Sequence, residues 1–240
     1  MSTISFSKAL LFACLYLFSA MSFAATAAGE ISSISGDKIA QARAADGTVR
    51  KLAEGDAIYS GEAVGTGKDT TLVILFADKS RFAIGSKSEI IINKFSYKQG
   101  ASDNAFHTSF IRGIFRFVSG LVAQSSGRDM KVKVIVATVG VRGTRVEGEV
   151  TERQEKNGVM VDASAKVVLL EPEEKDKKTS IIVSNDYGSV IVDEPGYGTE
   201  IPDEKSPPSP VRKMQIQTVD NILRSLRNSV RQGGTPRPRM

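Results

Sequence analysis

The 240-residue chain has one cysteine, one histidine and no tryptophan. Cys14 lies inside an N-terminal apolar run, so a chain processed beyond it has no disulfide, no thiolate nucleophile and no cysteine metal ligand. With His107 alone, neither a Cys/His nucleophile pair nor a typical zinc site is available. His107 sits in Phe106-His-Thr-Ser-Phe110, where a lone histidine on a strand face reads as a structural or exposed side chain. Beyond the N-terminal run the flat rings able to stack on sugars are Tyr59, Tyr97, Tyr187 and Tyr197, which disfavours direct glycan binding. Phosphate loops are missing too. Gly61-Glu-Ala-Val-Gly-Thr-Gly-Lys68 has Glu62 where the first glycine is required and Asp69 where Ser or Thr should hold magnesium, so it reads as a glycine-rich turn. Gly196-Tyr-Gly198 lacks the third glycine of a dinucleotide fingerprint. No catalytic, metal or cofactor site is expected, and the chain is read as not being an enzyme.

The ends differ from the middle. Lys8 precedes an apolar run from Ala9 to Phe23, and Ala24 and Ala27 follow at cleavable positions. At about fifteen residues the run is short of the roughly 20 that span a bilayer. Residues 1–24 are therefore read as a secretory signal, and the mature protein is expected in the periplasm or secreted. From Val211 to Met240 seven cations stand against Asp220 alone, a local charge of +6, so the rest of a chain of net +5 sums to −1. A nucleic-acid binder would spread its cations over a face with aromatics among them. This tail has no aromatic residue, and export removes nucleic acid from the partners.

Between the ends the pattern is β. Short runs such as Thr71–Phe76, Arg81–Ile84, Glu89–Tyr97 and Lys166–Glu171 are separated by turn chemistry at Asp46-Gly47, Ser60-Gly61, Asn157-Gly158 and Pro195-Gly196. Ala105–Phe110 and Ile114–Val118 read as separate strands, as do Lys131–Ala137 and Thr144–Val150, with Leu121–Gln124 a further one. The expected fold is an all-β, twisted antiparallel sandwich or roll of many short strands, with a C-terminal amphipathic helix. Asp203–Pro210 reads as a Pro-rich linker. Ser209 then offers an N-cap and Pro210 a first helical position, for a basic helix over 211–231 and an unstructured tail over 232–240. Val219, Ile222, Leu223, Leu226 and Val230 form its apolar stripe, with Arg224, Arg227 and Arg231 mostly off it. Those cations suit an envelope partner, or an acidic or membrane surface.

Certain landmarks recur in order: Gly55-Asp56-Ala-Ile58, an apolar strand into Asp78-Lys79-Ser80, Arg112-Gly113-Ile-Phe115, and Val141-Arg142-Gly143-Thr144. This series resembles the FecR domain of bacterial envelope proteins. The resemblance covers residues 29–202, with a core over 50–150 and a β extension over 151–202. It implies a β-rich regulatory or sensing module that engages another envelope protein. Membrane-bound FecR regulators carry a cytosolic anti-sigma segment, and only about eight residues precede the apolar run here, so an anti-sigma activity is not expected. Lys79 stands where the family has glycine, which predicts a type I turn in place of a primed one needing φ > 0. Two roles fit Arg142. Its donors can satisfy carbonyls or a carboxylate at the corner, or it can face a partner; the enclosing apolar strands favour the first. Gly143 and Thr144 complete that corner, and Asp56 reads as a turn-capping acceptor.

The leading functional expectation is a non-enzymatic periplasmic interaction or regulatory module. The alternative is a structural protein associated with cell wall or polysaccharide. No oligomeric state follows from the sequence.

Overall fold

Alternating exposure along nearly every run produces strands. The computed structural model describes residues 26–124, 129–172, 179–214 and 216. In chain order the first strands are β1 (Ala27–Gly36), β2 (Ala40–Arg43), β3 (Val49–Lys51), β4 (Ala57–Tyr59), β5 (Ala63–Thr66), β6 (Thr70–Phe76), β7 (Arg81–Ile84), β8 (Glu89–Ser96) and β9 (Ala105–Val118). A 3₁₀ turn at Val122–Gln124 precedes β10 (Asp129–Val134), β11 (Ala137–Arg142), β12 (Arg145–Thr151), β13 (Gln154–Lys156), β14 (Val159–Val161) and β15 (Ser164–Leu170). The last are β16 (Ser180–Asn185), β17 (Gly188–Val192), β18 (Tyr197–Ile201) and β19 (Arg212–Lys213).

The strands form two branches that share β9. The first runs β4-β1-β6-β7-β9-β12-β15-β18-β19. The second runs β3-β2-β5-β8-β9-β10-β11-β16-β17. Neither closes on itself. The change of branch falls at Gly113, whose φ of 96° suits glycine. A Cβ there would lie 2.6 Å from the Ser88 Cα. The Ser88 hydroxyl accepts from the Ile114 N–H at 3.1 Å and holds the bend. Between the branches lies one core with a phenylalanine spine. Phe76 and Phe82 of the first branch meet Phe106 of the second at centroid distances of 4.5 and 5.4 Å. Phe110 and Phe115 stack across the bend at 3.9 Å. Each such buried ring contributes about 1.5–3 kcal/mol of transfer free energy.

Several expectations need correction. The architecture is all-β and mostly antiparallel, but β9 and β10 run parallel, so the sheet is mixed. The runs Ala105–Phe110 and Ile114–Val118 are one bent strand. Lys131–Ala137 is two strands, joined by the two-residue loop Ile135-Val136, which carries none of the glycine, asparagine or proline that announces a turn. Leu121–Gln124 is not extended, and its last three residues form the 3₁₀ turn. The glycine-rich stretch after Gly61 is no simple turn, because β5 lies within it, paired on both sides by β2 and β8.

The amphipathic helix does not begin at 211. Arg212 and Lys213 pair with β18 instead, Arg212 reaches Glu200 at 2.7 Å, and the Met214 N–H donates to the Gly196 carbonyl. Ser209 does not cap a helix. Its hydroxyl accepts from the Glu200 N–H at 3.0 Å and its carbonyl accepts from the Thr199 hydroxyl at 2.7 Å. These ladder and bracing bonds to β18 outweigh a helical pattern at its first turn. Ile216 is buried against Val168 on the outer face of the first branch, with Met214 beside it. Arg224, Arg227, Arg231 and the rest of the expected helix lie outside the described residues, as does the expected signal over 1–24.

Candidate functional site

The ordered landmarks first explain how the molecule holds together. Asp78 is fully buried at the β6–β7 turn. Its carboxylate accepts from the Ser80 N–H (3.0 Å), the Ser80 hydroxyl (2.8 Å) and the Val122 N–H (3.2 Å). The Ser80 hydroxyl in turn accepts from the Gly120 N–H at 2.8 Å. One residue earlier, Ser119 accepts from the Thr144 N–H at 2.7 Å and donates back to the Thr144 carbonyl. The strap 119–122 thus ties the Asp78–Ser80 turn to the Gly143-Thr144 corner, where the chain passes from β11 in the second branch to β12 in the first. Gly120 is the residue sequence reasoning missed. A Cβ there would lie 2.2 Å from the Asp78 carbonyl oxygen, and no local pattern signals that contact. Gly143 has φ 62°, and Arg142 pairs through its backbone with Ser180, while its side chain lies outside the described residues. The two central residues of the β6–β7 turn, Ala77 and Asp78, have no positive φ, so it is not a primed turn, and the left-handed residue is Lys79, one position later. Its φ is 68°, and the turn is held closed by Asp78 and by the Lys79 N–H to the Phe76 carbonyl. Gly55 and Asp56 lie apart from this strap. Asp56 accepts from the Ala53 N–H at 2.7 Å, and the turn bonds to Ile31 of β1.

The surface offers a different feature. On the outer face of the second branch, Gln41, Gly65, Glu89 and Arg112 follow one another across β2, β5, β8 and β9. Gly65 contributes no side chain to that row, so a notch opens there, part of a groove of 360 Å³ walled by Ile39. Its rim is charged. Glu89, only 17% exposed at its side chain, receives Arg43 at 3.0 Å and Arg112 at 2.8 Å. Arg112 also forks onto Glu152 at 3.0 and 3.2 Å. Two guanidinium groups and two carboxylates leave the rim near neutral, with both signs along it. The nearby hydroxyls serve the backbone: Thr66 donates to Gly85, and Ser88 bonds to Ile114. They are not paired with a general base.

Glu152 also marks the root of a projecting arm. β13 and β14 form a separate two-stranded ribbon closed by Asn157-Gly158, both at positive φ as a type I′ turn requires. Arg153 and Asp162 clasp its base at 2.7 Å. Val159 and Met160 on this arm are 64% and 59% exposed. The expected lone His107 lies elsewhere on the second branch, bonded to Asp129 at 2.8 Å, with Lys131 at 3.1 Å from the same oxygen. These bonds hold the Asp129 carboxyl below its ordinary range, the histidine bond contributing most. Among the described residues no cluster of His, Cys, Asp or Glu has the makings of a metal site.

Residues 62–168 match the family model described as FecR protein. Over that segment the chain is similar to FecR proteins. That FecR segment contains the Asp78–Ser80 turn, the strap, the Val-Arg-Gly-Thr corner, the arm and three of the four residues in the notch row. Gly55, Asp56 and β16–β19 fall outside it. Among solved structures, the chain is similar to a candidate anti-sigma factor from Parabacteroides distasonis ATCC 8503, at 11% identity and a TM-score of 0.45. The similarity covers 67% of this chain and 64% of that one. No curated protein matches.

Proposed function

We propose that this chain is a non-enzymatic FecR-domain protein of the bacterial envelope, exported to the periplasm, where it acts as a protein-interaction module in sensing or regulation. The FecR match supports the regulatory class. The observation that carries the interaction role is the Gln41–Gly65–Glu89–Arg112 row. A side-chain-free notch lies between charges already balanced against one another, close to the root of an arm that keeps valine and methionine in water. The notch takes an apolar side chain against Ile39, and the flanking Arg43 and Glu89 set its orientation through polar contacts. Such a surface suits a folded or extended protein segment better than a small substrate, because its polar groups lie along a rim and do not converge on a point. The N-terminal pattern of Lys8, apolar run and Ala24 supports export.

The test places a photo-crosslinking amino acid at Gln41 and, separately, at Met160, in the native envelope. Both positions are expected to trap the same partner protein, and mass spectrometry of the mature chain should find Ala25 or Ala28 at its start. Gly65→Leu fills the notch without strain, since its Cβ would meet nothing closer than 3.8 Å. It should abolish trapping at both positions while leaving the melting temperature unchanged. Retained trapping in Gly65→Leu refutes the groove as the interface, and recovery on peptidoglycan or polysaccharide in place of a protein refutes the module reading.

A further inference from the structure

The edge strands of the two branches are not equally protected. An unpaired edge presents main-chain donors and acceptors to any passing strand, and proteins usually block it with charge or cover. β3 carries Arg50 and Lys51, and β19 is two cationic residues. At β4 the open groups are taken by side chains: Arg50 donates to the Ala57 carbonyl at 2.6 Å and Glu62 accepts from the Tyr59 N–H at 2.9 Å. Among the described residues Pro207 stands against Gly188 at one end of β17, and the strand has none of these devices from Ser189 on. Its sequence is Gly-Ser-Val-Ile-Val, with no charge and no proline. It pairs with β16 through a two-residue loop that sets Gly188 against Asn185. The alternation of an antiparallel ladder then points the N–H and C=O groups of Ser189 and Ile191 to the open side. The outer face there is apolar: Ile191 is 62% exposed and its cross-strand neighbour Ile182 is 49% exposed. Gly140 stands next in the row beyond Ile182 and leaves room for it.

We infer that β17 pairs antiparallel with β17 of a second copy about a two-fold axis at Ile191, independently of the groove described above. A second copy fits because the edge is self-complementary. With Ile191 facing its own counterpart, Val190 faces Val192 and Ser189 faces Asp193. The row Gly140–Ile182–Ile191 then continues into its mirror as one four-isoleucine strip across a joined sheet. The acidic residues Asp186, Asp193 and Glu194 lie at the ends of the strand, outside the strip. Like charges therefore approach at the margins, so salt tightens the dimer, whereas a cationic foreign segment on this edge is released by salt. One short strand and two isoleucines per copy make a contact small beside the about 800 Å² per partner of standard interfaces. The dimer is accordingly reversible and concentration-dependent.

Sedimentation of the full mature chain over a wide concentration range tests this. The mass should rise from monomer toward dimer, more readily at high salt. Ile191→Lys should weaken association by about tenfold or more at an unchanged melting temperature, the site being exposed. Ile191→Cys should form a disulfide-linked dimer on mild oxidation, there being no thiol in the chain after Cys14. A monomer at every concentration overturns the inference, whether the Ser189 and Ile191 amides exchange freely or are protected by another segment. Association indifferent to Ile191→Lys places the contact on another face and overturns it equally.

Discussion

Replacing Asp78 with alanine should be among the most damaging single changes in this protein. The carboxylate is fully buried and accepts three hydrogen bonds, two of them from Ser80. Truncation removes the acceptor from the Ser80 N–H, from its hydroxyl and from one bond of the Val122 N–H. Leaving a buried donor without its acceptor costs about 1–3 kcal/mol, and the Ser80 hydroxyl is itself the acceptor that fixes Gly120. Two such losses give about 2–6 kcal/mol. For a domain of this size each kcal/mol lowers the melting temperature by about 2–4 °C. The drop should therefore be roughly 5–20 °C by calorimetry, with the urea midpoint falling in parallel. Asp78→Asn keeps one acceptor oxygen and should fall between. Ser80→Ala should cost about 1–3 kcal/mol and combine non-additively with Asp78→Ala, because the two share a bond. A melting curve for Asp78→Ala within about 2 °C of wild type would refute the claim that the strap holds the two branches at this corner.

Gly113→Ala forces a side chain to φ 96° and onto the Ser88 Cα, so a loss of about 1–3 kcal/mol or more is expected in a urea titration. Lys79→Gly removes a left-handed non-glycine residue at some cost in unfolded-state entropy, and should be neutral or stabilising by up to about 1 kcal/mol. Destabilisation in the same titration would show that the Lys79 side chain contributes to the turn. The Asp129 carboxyl is held low, first by His107 and then by Lys131, so its stabilising effect is present above the ordinary carboxylate pKa and is lost as pH falls through the lowered folded value. His107→Gln should reduce the stability difference between neutral and strongly acidic solution. An unchanged acid-unfolding profile would show that this pair has no part in it.

Much of the strand content follows from local rules. Period-2 alternation marks β10 and β12, continuous apolar runs mark β6 and β8, and Asn157-Gly158 announces its hairpin because these two residues accept positive φ at low cost. The landmarks Asp78, Ser80, Gly143 and Thr144 are visible as a spaced series, though nothing local joins them. Their link is the strap 119–122, whose glycine is required by contacts with residues some forty positions earlier.

The groove was hidden for a related reason. Gly65 looks like turn chemistry until β2 and β8 pair on either side of it, and only then does a missing side chain become a notch. The C-terminal segment shows the reverse case. Its spacing satisfies a helix, yet β18 offers Arg212 and Lys213 a ladder, and Val168 offers Ile216 a place to be buried. Sequence alone determined the all-β class, many strand positions and the scarcity of catalytic groups, because periodicity, turn preference and composition act within a few residues. The tertiary structure alone decided the branch point at Gly113, the parallel pairing of β9 with β10, the groove, and which edge stays open. Those depend on partners distant in sequence, and a strand's hydrogen bonds, unlike a helix's, are never satisfied within its own segment.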